Sequence, residues 1–152
     1  MSGAELALLF LGAYRRMVDR VVEGLAAEGF SDVRPAHDFA MRAIVAGADS
    51  ASGLAGRLGV SKQAAAKTIE LLVERGYVDR TVDPADARRK RLSITARGDR
   101  VMQRGEELFA QERARLAEQI GAERLAAMTA DLAAIVGDAA VRIEAPGWVS
   151  GA

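Results

Sequence analysis

The sequence predicts a mainly α-helical fold with one small β-hairpin near its middle. Two long segments, residues 4–28 and 95–120, carry apolar side chains at helical spacing. Between them, residues 77–94 contain two runs of β-forming residues, and Asp83-Pro84 ends the first of these runs. The 152 residues are one domain's worth of chain, which is enough to bury a core. We therefore expect helices on both sides of a central hairpin.

The N-terminal segment predicts one long helix over residues 4–28 and a second over about 35–47. Pro35 opens the second helix, since proline is favoured in a first turn. The first helix is apolar over a wide surface and needs more burial than one partner provides. Its main apolar face consists of Leu6, Phe10, Met17, Val21 and Leu25.

A tight turn then joins two shorter helices. Leu54 and Leu58 lie four residues apart on one helical face, and Gly59 suits the left-handed cap at the end of that helix. Ser61 is placed to cap the next helix by accepting from free backbone N–H groups. Val60 is expected to fill the corner. The pattern predicts a helix-turn-helix, although Leu-x3-Leu-Gly alone is common wherever helices turn.

The second of these helices, residues 61–75, divides by face. Ala65, Ile69 and Leu72 should point into the domain. The other face is suited to DNA, because glutamine pairs with adenine, lysine reaches guanine or phosphate, and an alanine methyl contacts thymine. The candidate DNA-binding residues on this helix are Ser61, Lys62, Gln63, Ala66 and Lys67.

The hairpin carries four consecutive cations, Arg88-Arg89-Lys90-Arg91, between a strand at 77–82 and a returning strand at 92–94. Thr95 is placed to cap the helix that follows. A charge run on a hairpin is usually a solvated face or a guard against edge pairing. Directly after a helix-turn-helix it favours DNA binding, and arginine suits a narrow minor groove. The layout is that of a winged helix-turn-helix.

Asp86 precedes Arg88 by two residues within this wing. Its carboxylate could hold the guanidinium of Arg88 in one orientation, which would lower the entropy lost on entering a groove. Equally, it could be an ordinary turn aspartate after a proline. The candidate DNA-binding residues of the wing are Asp86, Arg88, Arg89, Lys90 and Arg91.

The charge is unevenly distributed along a chain that is formally neutral, with 21 Lys and Arg against 21 Asp and Glu. Residues 57–104 hold 12 basic and 6 acidic residues, so this segment carries +6 and the remainder −6. Such an asymmetry is expected of a nucleic-acid-binding face.

The composition argues against several other functions. Without cysteine there is no disulfide, thiol switch or Cys-ligated zinc, and His37 is the only histidine, so no metal or cofactor is expected. A Gly-rich phosphate loop and a G-x-S-x-G elbow are absent, so no catalytic residue is assigned and the chain is not expected to be an enzyme. The apolar run at 6–11 is too short to span a bilayer, and its flanking charges are in the wrong order for a signal sequence. A cytoplasmic location without a membrane partner is expected.

The C-terminal helices predict a homodimer. Gly121 interrupts the long helix after Ile120, and the last helix has the 3-4-3-4 spacing of a coiled-coil seam. These helices could simply cover the domain's own core, but a small winged helix needs few of them. The seam consists of Leu125, Met128, Leu132, Ile135 and Ala139. The candidate dimerisation residues are Leu6, Phe10, Leu125, Met128, Leu132 and Ile135.

The arrangement resembles the MarR (multiple antibiotic resistance regulator) family of bacterial transcription factors over nearly the whole chain. The most specific part is residues 83–95, DPADARRKRLSIT, which look like the wing signature of that family. The match includes the Asp-Pro start, the Asp-x-Arg core and the apolar-x-apolar-Thr end. Ala87 departs from the pattern, because the family often has another arginine there; Arg89 and Lys90 are placed to compensate.

The resemblance implies three regions: an N-terminal dimerisation helix over 1–34, a DNA-binding lobe over 35–98 with its recognition helix at 61–75 and its wing at 77–94, and C-terminal dimerisation helices over 99–152. It also implies that Asp86 orients Arg88 in the minor groove of double-stranded DNA. A symmetric dimer would place two recognition helices about one DNA turn apart on a near-palindromic operator.

The resemblance further implies a repressor that releases DNA on binding a small effector, often an aromatic or phenolic acid. In the family the effector pocket lies where the dimerisation helices meet the DNA-binding lobe. By position the candidates are Tyr14, Met17, His37 and Met41, although each of these residue types also serves in cores or as a cap. The alternative is a winged helix that contacts proteins or DNA nonspecifically without effector control.

Overall fold

The computed structural model describes residues 1–137, which form six helices and one two-stranded hairpin. In chain order the described elements are α1 (Gly3–Ala27), α2 (Pro35–Val45), α3 (Ala51–Leu58), α4 (Lys62–Glu74), β1 (Val78–Asp83), β2 (Asp86–Ile94), α5 (Ala96–Ile120) and α6 (Ala122–Val136). The predicted fold class, mainly helical with a small β-wing, is confirmed. Ala139 of the expected seam and the end of the expected region 99–152 lie outside the described residues.

These elements form two compact units. The first combines residues 1–33 with 103–135, and the second is built on residues 34–102. The long helix α5 begins in the second unit and ends in the first. Among residues 1–137, no helix has both the length and the apolar character needed to cross a membrane.

In the first unit, α1 contacts α5 through side chains at a small number of positions. A Cβ atom added at Gly24 would lie 2.8 Å from Leu108 Cδ2, so the absence of a side chain lets the two helices approach. Glu112, which is buried, accepts a 3.1 Å hydrogen bond from Arg20 Nη1 and also pairs with Arg115. Arg104 bonds to Glu28 at 2.7 Å. Apolar packing and charge pairs therefore join α1 to α5.

The helix-turn-helix of the second unit follows the sequence-based prediction at both of its caps. Gly59 adopts the left-handed conformation (φ 64°, ψ 29°) at the end of α3. Ser61 Oγ accepts from the Ala64 backbone N–H at 3.1 Å at the start of α4. Val60, expected to fill the corner, stays 37% exposed.

The hairpin differs from the prediction in the length of its second strand. β1 pairs with β2 antiparallel from Val78↔Ile94 to Val82↔Lys90, and the register becomes irregular before Asp83↔Asp86. The returning strand thus begins at Asp86 rather than at residue 92. The cations lie within β2, where Lys90 and Arg91 pair with Val82 and Thr81 of β1.

The end of the hairpin is joined tightly to α5. Thr95 Oγ1 accepts from Gly98 N–H at 3.0 Å, as predicted for a cap, and also donates to the Gly76 carbonyl oxygen at 2.6 Å. A Cβ atom at Gly98 would overlap the Tyr77 carbonyl oxygen and lie 2.7 Å from Ile94 Cγ2. The start of α5 therefore has a fixed place against the buried end of the wing.

Candidate nucleic-acid interface

The helix α4 separates an apolar face from a polar one, as the sequence predicts. Ala65, Ile69 and Leu72 are buried. Ser61, Lys62, Gln63 and Lys67 are exposed and Ala66 is partly exposed, so the candidate DNA-binding positions remain accessible. A helix with one anchored face and one accessible polar face can enter a major groove without giving up its own packing.

The N-terminal end of α4 is suited to a phosphate. Its first turn contains no acidic residue, and Lys62 and Gln63 follow the Ser61 cap. Backbone N–H groups and the helix dipole at such an end favour negative charge. This end of the helix can therefore hold a phosphate while the exposed side chains reach base edges.

Two aspartates shape the tip of the wing. Asp83 Oδ1 accepts from the Ala85 backbone N–H at 2.9 Å, and Asp86 Oδ1 accepts from the Arg88 backbone N–H at 2.9 Å. The Asp86 carboxylate thus contacts the backbone of Arg88, the geometry of a turn aspartate, which was one of the two alternatives. The Arg88 side chain is exposed beside this turn.

The four wing cations fall into two groups. Arg89 Nη2 lies 3.4 Å and 3.3 Å from the two carboxylate oxygens of Asp49, and Arg91 Nε lies 3.6 Å from Asp49 Oδ2. Arg91 Nε also pairs with Asp83 Oδ2 at 3.0 Å. All four residues are exposed, so the two groups differ in their contacts with Asp49 and Asp83 and not in exposure. Sequence reasoning identified the cations but missed Asp49 and Asp83 as their partners, because no spacing links position 49 to position 89.

Other cations of the basic segment also have partners within the chain. Arg57 donates to the Ala46 carbonyl oxygen at 2.7 Å, at the end of α2. Arg97 lies over the Tyr77 ring, 4.9 Å from its centroid. In the first unit, hydrogen bonds to Glu107 and Glu28 raise the pKa of Arg104. The +6 charge of residues 57–104 is therefore only partly presented as a DNA-binding surface.

The four candidate effector-binding residues are divided between the units. Tyr14 and Met17 lie on α1 in the first unit; Tyr14 is 39% exposed, and burial of part of its ring raises the pKa of its phenol. His37 and Met41 lie on α2 in the second unit. His37 Nδ1 accepts from the Arg34 backbone N–H at 3.0 Å, and Met41 is fully buried. His37 thus has a capping role and Met41 a core role in that unit.

The candidate dimerisation residues differ in exposure. Leu6, Phe10, Met128 and Ile135 are exposed, and Ile135 is 74% exposed. Leu132 is partly exposed, whereas Leu125 is buried within the chain. Sequence reasoning did not select Leu8 and Leu9, which are more exposed than Leu6. The run of apolar residues at 6–11 was the available signal.

Across the described residues, no group of three or more His, Cys, Asp or Glu side chains is arranged to hold a metal ion.

Comparison with known proteins identifies the second unit. Residues 34–89 match a family model described as the MarR family. The similarity to the MarR family thus covers the α2–α4 helices and most of the wing. The resemblance expected from the sequence is confirmed over this segment. None of the curated proteins matches the chain significantly.

Solved structures share the fold over most of the chain. A mutant MepR from S. aureus bound to an oligodeoxyribonucleotide is 19% identical, with 86% of this chain and 95% of that one covered and a TM-score of 0.62. A mutant MarR from E. coli is 21% identical, with coverages of 87% and 96% and a TM-score of 0.66. A MarR family protein from Bacillus stearothermophilus is 17% identical, with coverages of 87% and 91% and a TM-score of 0.68.

Proposed function

We propose that the chain is a homodimeric repressor that binds a near-palindromic operator and releases it when a small effector binds. The observation that carries the DNA-binding part is the exposed polar face of α4. Ser61, Lys62 and Gln63 stand accessible at the start of a helix whose opposite face is buried. The proposal places this helix in the major groove, where Gln63 reads a base and Lys62 and Lys67 contact guanine or phosphate.

The wing adds a second contact in this proposal. Arg88 follows a turn held by Asp86, which limits the backbone conformations that the wing tip can adopt. An exposed arginine on a restrained backbone loses less entropy on entering a minor groove. Arg88 is the proposed minor-groove residue and Lys90 a phosphate contact. The mutant MepR that shares this fold is bound to an oligodeoxyribonucleotide, which supports DNA as the partner.

The homodimer is proposed from the apolar surface of the first unit. Leu6, Leu8, Leu9 and Phe10 on α1 are exposed, as are Met128 and Ile135 on α6. Exposed apolar side chains of this number and size are unusual on one unit of a monomeric protein, and such residues are typical of an interface. Two copies related by a two-fold axis would present two α4 helices to one DNA duplex. A cytoplasmic location follows, because that is where the DNA of a bacterium lies.

Release by an effector is proposed from the family resemblance, with an aromatic or phenolic acid as the ligand class. The partly exposed phenol of Tyr14 is the candidate that can still contact a ligand directly. Met17 on the same helix is partly exposed, whereas Met41 is a core residue and His37 a cap within the second unit.

The test is selection of bound sequences from random duplex DNA by the purified protein. A palindrome with half-sites about 10 base pairs apart, centre to centre, is expected for a dimer. The affinity for this sequence should exceed that for unrelated DNA by about a thousandfold or more. A winged helix that binds DNA nonspecifically would select no sequence and lose affinity steeply with salt. Sedimentation at micromolar concentration should show a dimer, and a monomer there would contradict that part of the proposal.

A further inference from the structure

The wing is attached to the loop between α2 and α3 through Asp49. Its carbonyl oxygen accepts from the Leu92 backbone N–H at 3.2 Å, and its carboxylate faces both Arg89 and Arg91. Successive side chains of a strand point to opposite faces, so Arg89 and Arg91 share one face of β2 while Lys90 points to the other. The face that carries Arg89 and Arg91 is turned toward Asp49.

The local structure restrains both aspartates that contact the wing arginines, Asp49 and Asp83. Asp49 directly precedes Ser50, whose Oγ accepts from Gly53 N–H at 3.1 Å to cap α3. Asp83 is 4% exposed, and its carboxylate accepts from Ala85 N–H as well as Arg91. The backbone of Asp49 is restrained by the adjacent cap and by Leu92, and the carboxylate of Asp83 is restrained by its turn. The two arginines are therefore partnered before any DNA arrives.

We propose that Asp49 is a positioning and specificity-determining residue: it fixes the wing on the helix-turn-helix and occupies Arg89 and Arg91, so that these cations do not serve as general phosphate contacts. The inference rests on the proposed binding of duplex DNA by this unit. A phosphate that binds Arg89 through Nη2 must compete with the carboxylate of Asp49, 3.3 Å away. The wing then meets DNA through Arg88 and Lys90, and nonspecific affinity is held down by an anion built into the protein.

The salt dependence of binding separates this arrangement from ordinary phosphate contacts. Each phosphate contact that releases a counterion adds about 0.9 to the magnitude of the slope of log K against log salt concentration. A cation that is already paired within the protein adds little to the magnitude of this slope. Lys90→Ala should lower the slope by about 1, whereas Arg89→Ala in the wild-type background should leave it unchanged.

The variant Asp49→Asn keeps the size of the side chain and removes the charge that Arg89 faces. The slope for an unrelated duplex should then rise by about 1, with binding at 0.1 M salt about tenfold tighter. The ratio of operator to unrelated affinity should fall. Adding Arg89→Ala to Asp49→Asn should return the slope to the wild-type value, which a purely structural role of Asp49 would not produce.

The matched control is Asp79→Asn, which removes the same charge from β1, where the carboxylate accepts from the Arg80 backbone N–H. Asp79→Asn should leave the ratio of operator to unrelated affinity unchanged. Arg89→Ala should have the same effect on that ratio with and without Asp79→Asn. All variants are full-length proteins, measured on the selected operator and on an unrelated duplex of equal length and composition.

Two results would overturn the inference while leaving the proposed DNA binding intact. One is a loss of slope for Arg89→Ala equal to that for Lys90→Ala in the wild-type background. The other is a slope and specificity ratio for Asp49→Asn equal to those of Asp79→Asn. If Asp49→Asn fails to fold, the comparison of Arg89→Ala with Lys90→Ala decides. Wild-type protein that binds no duplex would instead refute the proposed function, and this inference with it.

Discussion

The Tyr77 carbonyl oxygen occupies the position that a side chain at Gly98 would need. A Cβ atom there would also lie 2.7 Å from Ile94 Cγ2, so neither backbone nor side chain leaves room for one. Thr95 forms hydrogen bonds with both Gly76 and Gly98. Gly98 therefore lies where the wing, the end of α4 and the start of α5 meet. A substitution there should disturb the second unit without touching the exposed polar face of α4.

Gly98→Ala is therefore expected to destabilise the protein by about 1–3 kcal/mol, the usual cost of forcing extra atoms into a packed site. Urea unfolding, monitored by circular dichroism, measures this change in the free energy of unfolding. The control is Gly56→Ala in α3, where a Cβ would meet nothing within 4 Å. That variant should be more stable by about 0.4–1 kcal/mol, because alanine lowers the entropy of the unfolded chain. Equal stabilities for the two variants would contradict the close approach of Gly98 to Tyr77.

Glu112→Gln tests how α1 is held against α5. The carboxylate of Glu112 is buried between Arg20 and Arg115, and its loss leaves these arginines without that anion. We expect a loss of about 1–3 kcal/mol in the free energy of unfolding, the range for removing one partner of a buried hydrogen bond. Glu118→Gln on the exposed surface of the same helix should change it by less than about 0.5 kcal/mol. A similar effect from both variants would show that the Arg20 contact contributes little.

Much of this second unit could be predicted because its signals are local in sequence. Gly59, Ser61 and Thr95 cap the helices next to them, and the buried face of α4 follows from spacing alone. The prediction failed where the outcome depends on distant partners. Asp49 meets Arg89 across 40 positions, so the division of the wing cations is a property of the folded unit. The exposure of Val60 likewise depends on how α3 and α4 pack and not on its position in the turn motif.

The phenol of Tyr14 gives a pH-dependent prediction. Burial of part of the ring raises its pKa above the ordinary value, so the folded state holds this proton more tightly than the unfolded state. The resulting stabilisation is present below the unfolded pKa of about 10 and is lost as pH rises through the folded pKa. Ultraviolet titration of the wild type and of Tyr14→Phe should show that the Tyr14 phenol ionises at a higher pH than free tyrosine does. Titration at the free-tyrosine pKa would contradict the burial.

Gln63→Ala is expected to weaken operator binding by about 1–3 kcal/mol and to relax specificity at one base step. The reason is that the amide of Gln63 can make a bidentate pair with adenine, whereas alanine retains no polar group. Binding to the selected operator and to its single-base variants measures both effects. The salt slope should stay at its wild-type value, because no phosphate contact is lost. A uniform loss over all base variants would show that Gln63 contacts the DNA backbone.

Arg88→Ala should weaken operator binding strongly and lower the salt slope by about 1. The wing tip stays folded in this variant, because Asp86 bonds to the backbone N–H of Arg88 and not to its guanidinium. The loss is thus assigned to the side chain rather than to the turn. Arg113→Ala, which removes the same charge from the exposed surface of α5 in the first unit, is the control. If Arg88→Ala matches that control in both affinity and slope, the wing does not contact DNA through Arg88.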